Sequence, residues 1–287
     1  MMKKLIEKAA ILMEALPYIQ AFRDAVVVIK VGGSMMEDDE KTRSVIRDIV
    51  FMECAGMRPV LVHGGGKAIS AALNQEKVET TFIGGLRYTC DDTIRVVDRV
   101  LHQHVNANLV KMMNEFDGRP FAMSGKNVLR AEKIRAADGV TDLGHVGRVV
   151  NVDTEQIQWV LKRREVPVIT PLGIDMEGTV YNINADMAAC RIAAHLQARK
   201  LVFLSDVPGI LREPKDEASL ISSIRMTEID GLIDSGVISG GMVPKIRSAA
   251  EALTAGCGKV HMIDGRLRHS LLLEIFTDQG IGTQITH

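Results

Sequence analysis

The sequence predicts an α/β protein: a three-layer αβα sandwich around a largely parallel open sheet, with one extra helix in front of it. Three observations lead there. Short β-branched runs alternate with stretches of helical periodicity, the pattern of a parallel sheet covered on both faces. Glycine clusters follow the strands, where an open sheet has its ligand crevice. The 287 residues are 46% hydrophobic but only 4% aromatic, enough for a large aliphatic core, and no Pro/Ser-rich linker divides them.

The opening MMKKLIEKAAILMEALPYIQ starts with a lysine pair, as a signal peptide would, but Glu7, Lys8 and Glu14 interrupt any apolar run. Leu5, Ile6, Ala9, Leu12, Met13 and Leu16 instead recur at helical spacing, which predicts a helix whose apolar stripe needs a cover. Strands are then predicted at 26–31, 59–62, 121–123, 166–170, 200–205 and 259–263, and helices at 38–55, 68–74, 93–114, 154–164, 185–197 and 244–254. Asp91 or Asp92 can cap the third of these helices and Asn184 the fifth, and Pro244 suits the first turn of the sixth. The stretch VLRAEKIRAADGVTDLGHVGRVVNVD breaks the rhythm and predicts an antiparallel ribbon lying as a flap over one end of the sheet. A division into two lobes that share the sheet is expected near Pro171.

Lys+Arg at 35 against Asp+Glu at 36 gives a net charge of -1, which argues against a nucleic-acid partner or a polybasic membrane anchor. No run approaches the 18 or so apolar residues of a membrane span. Cys54, Cys90, Cys190 and Cys257 lie far apart without a CxxC pair, which fits reduced, mostly buried thiols in a cytoplasmic protein and not a zinc site. His102 and His104, two apart in a predicted helix, face different ways and read as surface residues.

Familiar motifs are missing. Gly66-Lys67 is followed by Ala68 and Gly258-Lys259 by Val260, so no Walker loop exists, and there is no GxSxG elbow, HExxH helix or three-glycine dinucleotide fingerprint. What the chain has is Val31-Gly32-Gly33-Ser34, His63-Gly64-Gly65-Gly66 and Asp206-Val207-Pro208-Gly209, all after strands. Each alone is more often just a tight turn; three at strand ends favour a phosphate site, because glycines let backbone N–H groups approach an anion. Lys30 sits inside the apolar run VVVIKV, where its ammonium needs an anion or a route to water. Lys245 follows SGGMVP at a helix start, where a positive charge opposes the helix dipole unless an anion binds there. Asp186 falls in the first turn of a helix, favourable in itself, and could also hold the two lysines. Arg87, between a glycine turn and a helix start, is either a surface residue or a two-point clamp for a small carboxylate.

Taken in order, IKVGGS, VHGGG, GGLRYT, NINADMAA, SDVPGI and SGGMVPK resemble the amino-acid kinase superfamily, and within it the N-acetylglutamate kinases of arginine biosynthesis. The likeness runs from about residue 24 to 283. It implies transfer of the ATP γ-phosphoryl group, with Mg2+, to the side-chain carboxylate of N-acetyl-L-glutamate. By the same match, Lys30 and Lys245 would stabilise the moving phosphoryl group and Asp186 would orient both. Gly65, Gly66, Arg87 and Asn182 would hold the acceptor. Gly32, Gly33, Ser205, Asp206, Val207, Gly209, Ile210 and Leu211 would lie along the nucleotide. No protein ligand to the metal is implied. The lobes become an acceptor-binding part over 23–170 and a nucleotide-binding part over 171–287.

A helix over 1–22 resembles the arginine-inhibited members, in which such helices join dimers into a homohexamer; Tyr18, His269 and Glu274 are then candidates for the arginine site. The same fold would also take an acetylated or carrier-bound aminoadipate, because one methylene is worth only about 1–3 kcal/mol in a pocket. A catalytically silent nucleotide or arginine sensor is the remaining alternative, and it would need neither lysine.

Overall fold

The structure is a computed structural model that describes residues 2–33, 35–277 and 280–287; Ser34 of the first glycine cluster lies outside the described residues. Helix α1 (Met2–Phe22) precedes β1 (Val26–Val31), α2 (Asp39–Cys54), β2 (Arg58–His63) and α3 (Gly66–Gln75). A hairpin of β3 (Phe82–Ile83) and β4 (Leu86–Arg87) leads into α4 (Asp91–Arg99), which runs through a wider π-helical turn (Val100–Asn106) into α5 (Ala107–Glu115). There follow β5 (Pro120–Met123), α6 (Gly125–Val128), β6 (Leu129–Arg135), β7 (Asp142–Val152), α7 (Thr154–Lys162), β8 (Val166–Ile169), β9 (Leu172–Ile174) and β10 (Val180–Ile183). The rest is α8 (Ala185–His195), β11 (Lys200–Ser205), β12 (Ser223–Arg225), α9 (Ile229–Asp234), α10 (Met242–Thr254), β13 (Val260–Asp264), α11 (Ser270–Ile275) and β14 (Thr283–Thr286).

The main sheet has eight strands in the order β12-β14-β13-β11-β1-β2-β8-β5, parallel throughout except where β13 meets β14. Its centre is buried on both faces, as the mostly apolar strands VVVIKV and KLVFLS require. One face packs Val28 and Phe203 against Ile192 of α8 and Ile246 of α10. The other packs Ile29 against Ile46 and Ile49 of α2 and Leu109 of α5. These are the three layers the sequence predicts.

Four expectations change. Cys90, not an aspartate, occupies the cap of α4, and Asp91 and Asp92 fall inside its first turn, where their charge favours the helix dipole. The β6–β7 pair is antiparallel as expected, but it is no flap: β9 and β10 close it into a four-stranded barrel in the order β10-β7-β6-β9. Glycine allows that closure, since a Cβ on Gly147 would stand 2.7 Å from the Tyr181 Cβ. His102 is not a free surface residue; its Nδ1 lies 2.7 Å from Asp98 Oδ1. Of the cysteines, all four free, Cys190 and Cys257 are buried while Cys54 is exposed.

Two start signals hold. Asn184 caps α8, its Oδ1 accepting from the N–H of Asp186 at 2.9 Å and of Met187 at 3.2 Å, and Pro244 sits in the first turn of α10. Helix α1 carries the predicted stripe, and Leu5, Ile6, Leu12 and Met13 on it are more than half exposed. Its last turn is fastened to the body by Arg199, whose Nη1 donates to Ala21 O at 2.6 Å and whose guanidinium covers the Phe22 ring.

Candidate active site

Lys30 is the fifth residue of β1, next to β11 in the sheet, and its side chain emerges at the carboxyl end of the strands with 8% of its surface exposed. Asp186, in the first turn of α8, meets it there: Lys30 Nζ lies 2.7 Å from Asp186 Oδ1. Lys245, from the first turn of α10, approaches from the other side, with Nζ 3.4 Å from Asp186 Oδ2. Burial pushes the Asp186 carboxyl up, but the two ammonium groups outweigh burial and hold it below its ordinary value. Three residues distant in sequence thus form one charged cluster with a net positive charge, able to receive a further anion.

Beside the cluster opens a cavity of about 240 Å³ lined by Lys30, Asp186, Gly65, Gly66, Arg87 and Asn182 among others. Arg87 reaches it from β4. Its Nη2 donates to Gly66 O at 2.9 Å and Ser70 Oγ at 2.8 Å, and its guanidinium lies 4.6 Å from the centre of the Phe82 ring. Its Nη1 has no partner among the described residues although it is buried, so half of the planar fork is left for a ligand. Burial lowers the Arg87 pKa, yet a guanidinium starts so high that it keeps its charge. Asn182 is oriented from β10 by a bond from its Nδ2 to Thr89 Oγ1 at 3.3 Å.

Between the cationic cluster and Arg87 lie the glycines. A Cβ on Gly33 would stand 3.4 Å from Gly66 N, 3.8 Å from Lys67 N and 3.9 Å from Gly65 N, so a loop after β1 and the start of α3 meet backbone to backbone. The first N–H groups of a helix have no carbonyl one turn back to bond, which leaves them for an anion.

The residues expected along the nucleotide divide. Gly32 directly follows β1 in a buried position, and Gly33 lines the cavity. Ser205 closes β11 and donates from Oγ to Val207 O at 3.2 Å, while Asp206 and Val207 are exposed beside it. Gly209, Ile210 and Leu211 turn back into the protein: the Ile210 N–H donates to Thr283 Oγ1 at 2.9 Å, its side chain is buried, and Leu211 bridges to Leu220. The Ile210 carbonyl in turn accepts from the Ile221 N–H at 2.9 Å, so side chain, N–H and carbonyl are all engaged within the protein and Ile210 serves to position the loop.

The candidates for the arginine site also divide. A second cavity, of about 300 Å³, is lined by Tyr18, Phe22 and Glu274 but not by His269, whose Nδ1 lies 2.7 Å from Asp48 Oδ1 and ties α11 to α2. Lys200 and His261, which sequence reasoning missed, line it instead. Lys200 Nζ is 3.7 Å from Glu274 Oε1, and the His261 ring bonds the same oxygen. Lys200 had a readable signal, since it opens an apolar strand much as Lys30 interrupts one. Among the described residues no three histidine, cysteine or carboxylate side chains gather as metal ligands.

The residues 25–264 match the model of the amino acid kinase family, and the chain belongs to that family. It is 46% identical over 293 residues to the acetylglutamate kinase of Heliobacterium modesticaldum, with 99% of each chain covered. It is 45% identical to that of Akkermansia muciniphila, covering 98% of this chain and 96% of the other. In structure it resembles the N-acetylglutamate synthase of Neisseria gonorrhoeae complexed with coenzyme A and N-acetyl-glutamate, with a TM-score of 0.87 and 27% identity; the match covers 97% of this chain and 63% of that one. No helix among the described residues is long and apolar enough to cross a membrane.

Proposed function

We propose that this site transfers the γ-phosphoryl group of ATP to the side-chain carboxylate of N-acetyl-L-glutamate, the reaction for which its acetylglutamate kinase relatives are named. The observation that carries the reading is the convergence of Lys30 and Lys245 on Asp186 beside a cavity that offers Arg87. The free half of the Arg87 fork suits the α-carboxylate of the acceptor, and Asn182 and the amides of Gly65 and Gly66 suit its other polar groups.

An acceptor carboxylate with a reference pKa of about 4.3 is already ionised at neutral pH, so no general base is needed. One of its oxygens bonds to the γ-phosphorus while the bond from phosphorus to the β,γ-bridging oxygen breaks, and ADP leaves with that electron pair. No proton moves. The barrier is the approach of two anions: unit charges about 4 Å apart repel by roughly 4 kcal/mol at an effective dielectric of about 20. Two ammonium groups and a row of glycine N–H groups offset that repulsion most where charge is most crowded, which is what phosphoryl transfer asks of a protein. Asp186 keeps the two lysines from splaying apart.

The donor set also bears on Mg2+. Both Asp186 oxygens face lysines and the remaining donors are cationic or amide groups, which fits a metal that arrives on the phosphates of ATP and not one caged by the protein. Bound there, it would neutralise phosphate charge. Incubation with MgATP, N-acetylglutamate and hydroxylamine should give the hydroxamate of the acyl phosphate; a higher yield from acetylated aminoadipate would favour that acceptor, and no hydroxamate from either would leave the sensor reading.

A regulatory reading has its own support. The cavity of Lys200, His261 and Glu274 pairs a buried carboxylate with the aromatic rings of Tyr18 and Phe22, a chemistry that suits the guanidinium of arginine. It lies where α1 joins the body, and the exposed stripe of α1 fits burial against another copy of the chain in a hexamer.

A further inference from the structure

We infer that His63 is a positioning residue for the glycine loop, held by Asn106 in the one tautomer whose Nδ1–H fixes the Gly64 carbonyl. The inference rests on the kinase reading for its effect on turnover, but the tautomer itself follows from contacts alone.

The chain of contacts starts at a carbonyl. Asn106 Nδ2 lies 2.8 Å from Val168 O, and only an NH₂ can donate there, so the orientation of the amide is set. The same Nδ2 lies 3.1 Å from His63 Nε2, which must then be the acceptor. The proton of the neutral ring therefore sits on Nδ1, which donates to Gly64 O at 2.8 Å, itself able only to accept. His63 is fully buried and Asn106 is 3% exposed. Burial takes the His63 pKa down to about 4, so the ring is neutral near pH 7 and serves neither as acid nor as base in the reaction.

The consequence falls on the next peptide. A trans peptide is planar, so pinning the Gly64 carbonyl fixes the Gly65 N–H on the opposite side. The Gly64 N–H is pinned as well, to Val31 O at 2.9 Å. Without these ties a run of three glycines, lacking Cβ atoms, would turn its peptides freely. The π-helical turn supplies the lock, for it carries Asn106 and also Leu101, whose Cδ2 is 2.6 Å from where a Cβ on Gly65 would be. Wide turns of this kind often mark functional sites.

Two measurements test the inference. Nitrogen NMR of protein labelled in histidine should show His63 as the Nδ1–H tautomer at pH 7, and Asn106→Leu should add the Nε2–H form. In turnover assays His63→Asn, whose amide can reach the Gly64 carbonyl as Nδ1 does, should stay within about threefold of wild type, while a folded His63→Leu should lose at least about tenfold. An Nε2–H tautomer in the wild type would overturn the inference, as would equal losses in His63→Asn and His63→Leu. Because the tautomer is read without substrate, failure of the proposed reaction would show in the assay and leave the NMR result standing.

Discussion

Asp186 touches two ammonium groups, at 2.7 and 3.4 Å, and its worth depends on both. Lys245→Ala should lower kcat by about a hundredfold or more while the acceptor KM changes little, because the charge is needed most in the transition state. Equal loss in both would make Lys245 a docking residue. Stability should follow pH in a defined direction. The Asp186 pKa is depressed in the folded protein, so its contribution is complete above the unfolded value of about 3.9 and fades as pH falls through the folded one. Denaturation of wild type and Asp186→Asn should show a gap at pH 7 that narrows below about pH 4.

His63 acts over a higher window: its pKa falls from 6.5 to about 4 on folding, so its neutral burial helps above about 6.5 and is lost as pH drops through about 4. That is on the order of 3 kcal/mol of acid sensitivity which His63→Asn should remove. Lys30 was legible in the sequence because an ammonium inside VVVIKV demands an explanation. His63 was not, because its tautomer depends on Asn106, 43 residues away in the chain.

At the scale of elements, the long strands and helices could be read because each repeats its pattern enough times to be seen. The unread strands β3, β4, β9, β10, β12 and β14 have only two to four residues, too few for a period of two, and they are held by register with neighbours. The π-helical turn was invisible for a related reason: apolar residues over 93–114 fit a helix whether or not one turn is widened, and what the widening achieves is set by the sheet beneath. Helix α1 was the opposite case, since its stripe was plain and only its cover was missing. On the proposed regulatory reading, deleting residues 1–20 should abolish arginine inhibition, leave kcat near wild type, and lower the mass seen by light scattering from that of the proposed hexamer to that of a dimer. Unchanged inhibition would sink the regulatory reading.

For the whole molecule, one sheet does the positioning. β1 delivers Lys30 and the first glycines, β2 the second glycine loop, and α8 and α10 bring Asp186 and Lys245 over the same edge, so groups from four regions of the chain meet without a dedicated motif. The sequence showed which residues carried unexplained charge or freedom; that they face one another is a property of strand order. The central claim is that the two lysines serve the phosphoryl group in flight more than the bound substrates. Calorimetry with MgADP, N-acetylglutamate and tetrafluoroaluminate, a mimic of the transferring group, tests it most directly. Lys30→Ala and Lys245→Ala should each weaken binding of the mimic by about a hundredfold or more while changing the affinity for MgADP and acceptor without it by less than about threefold. Equal weakening with and without the mimic would contradict the account.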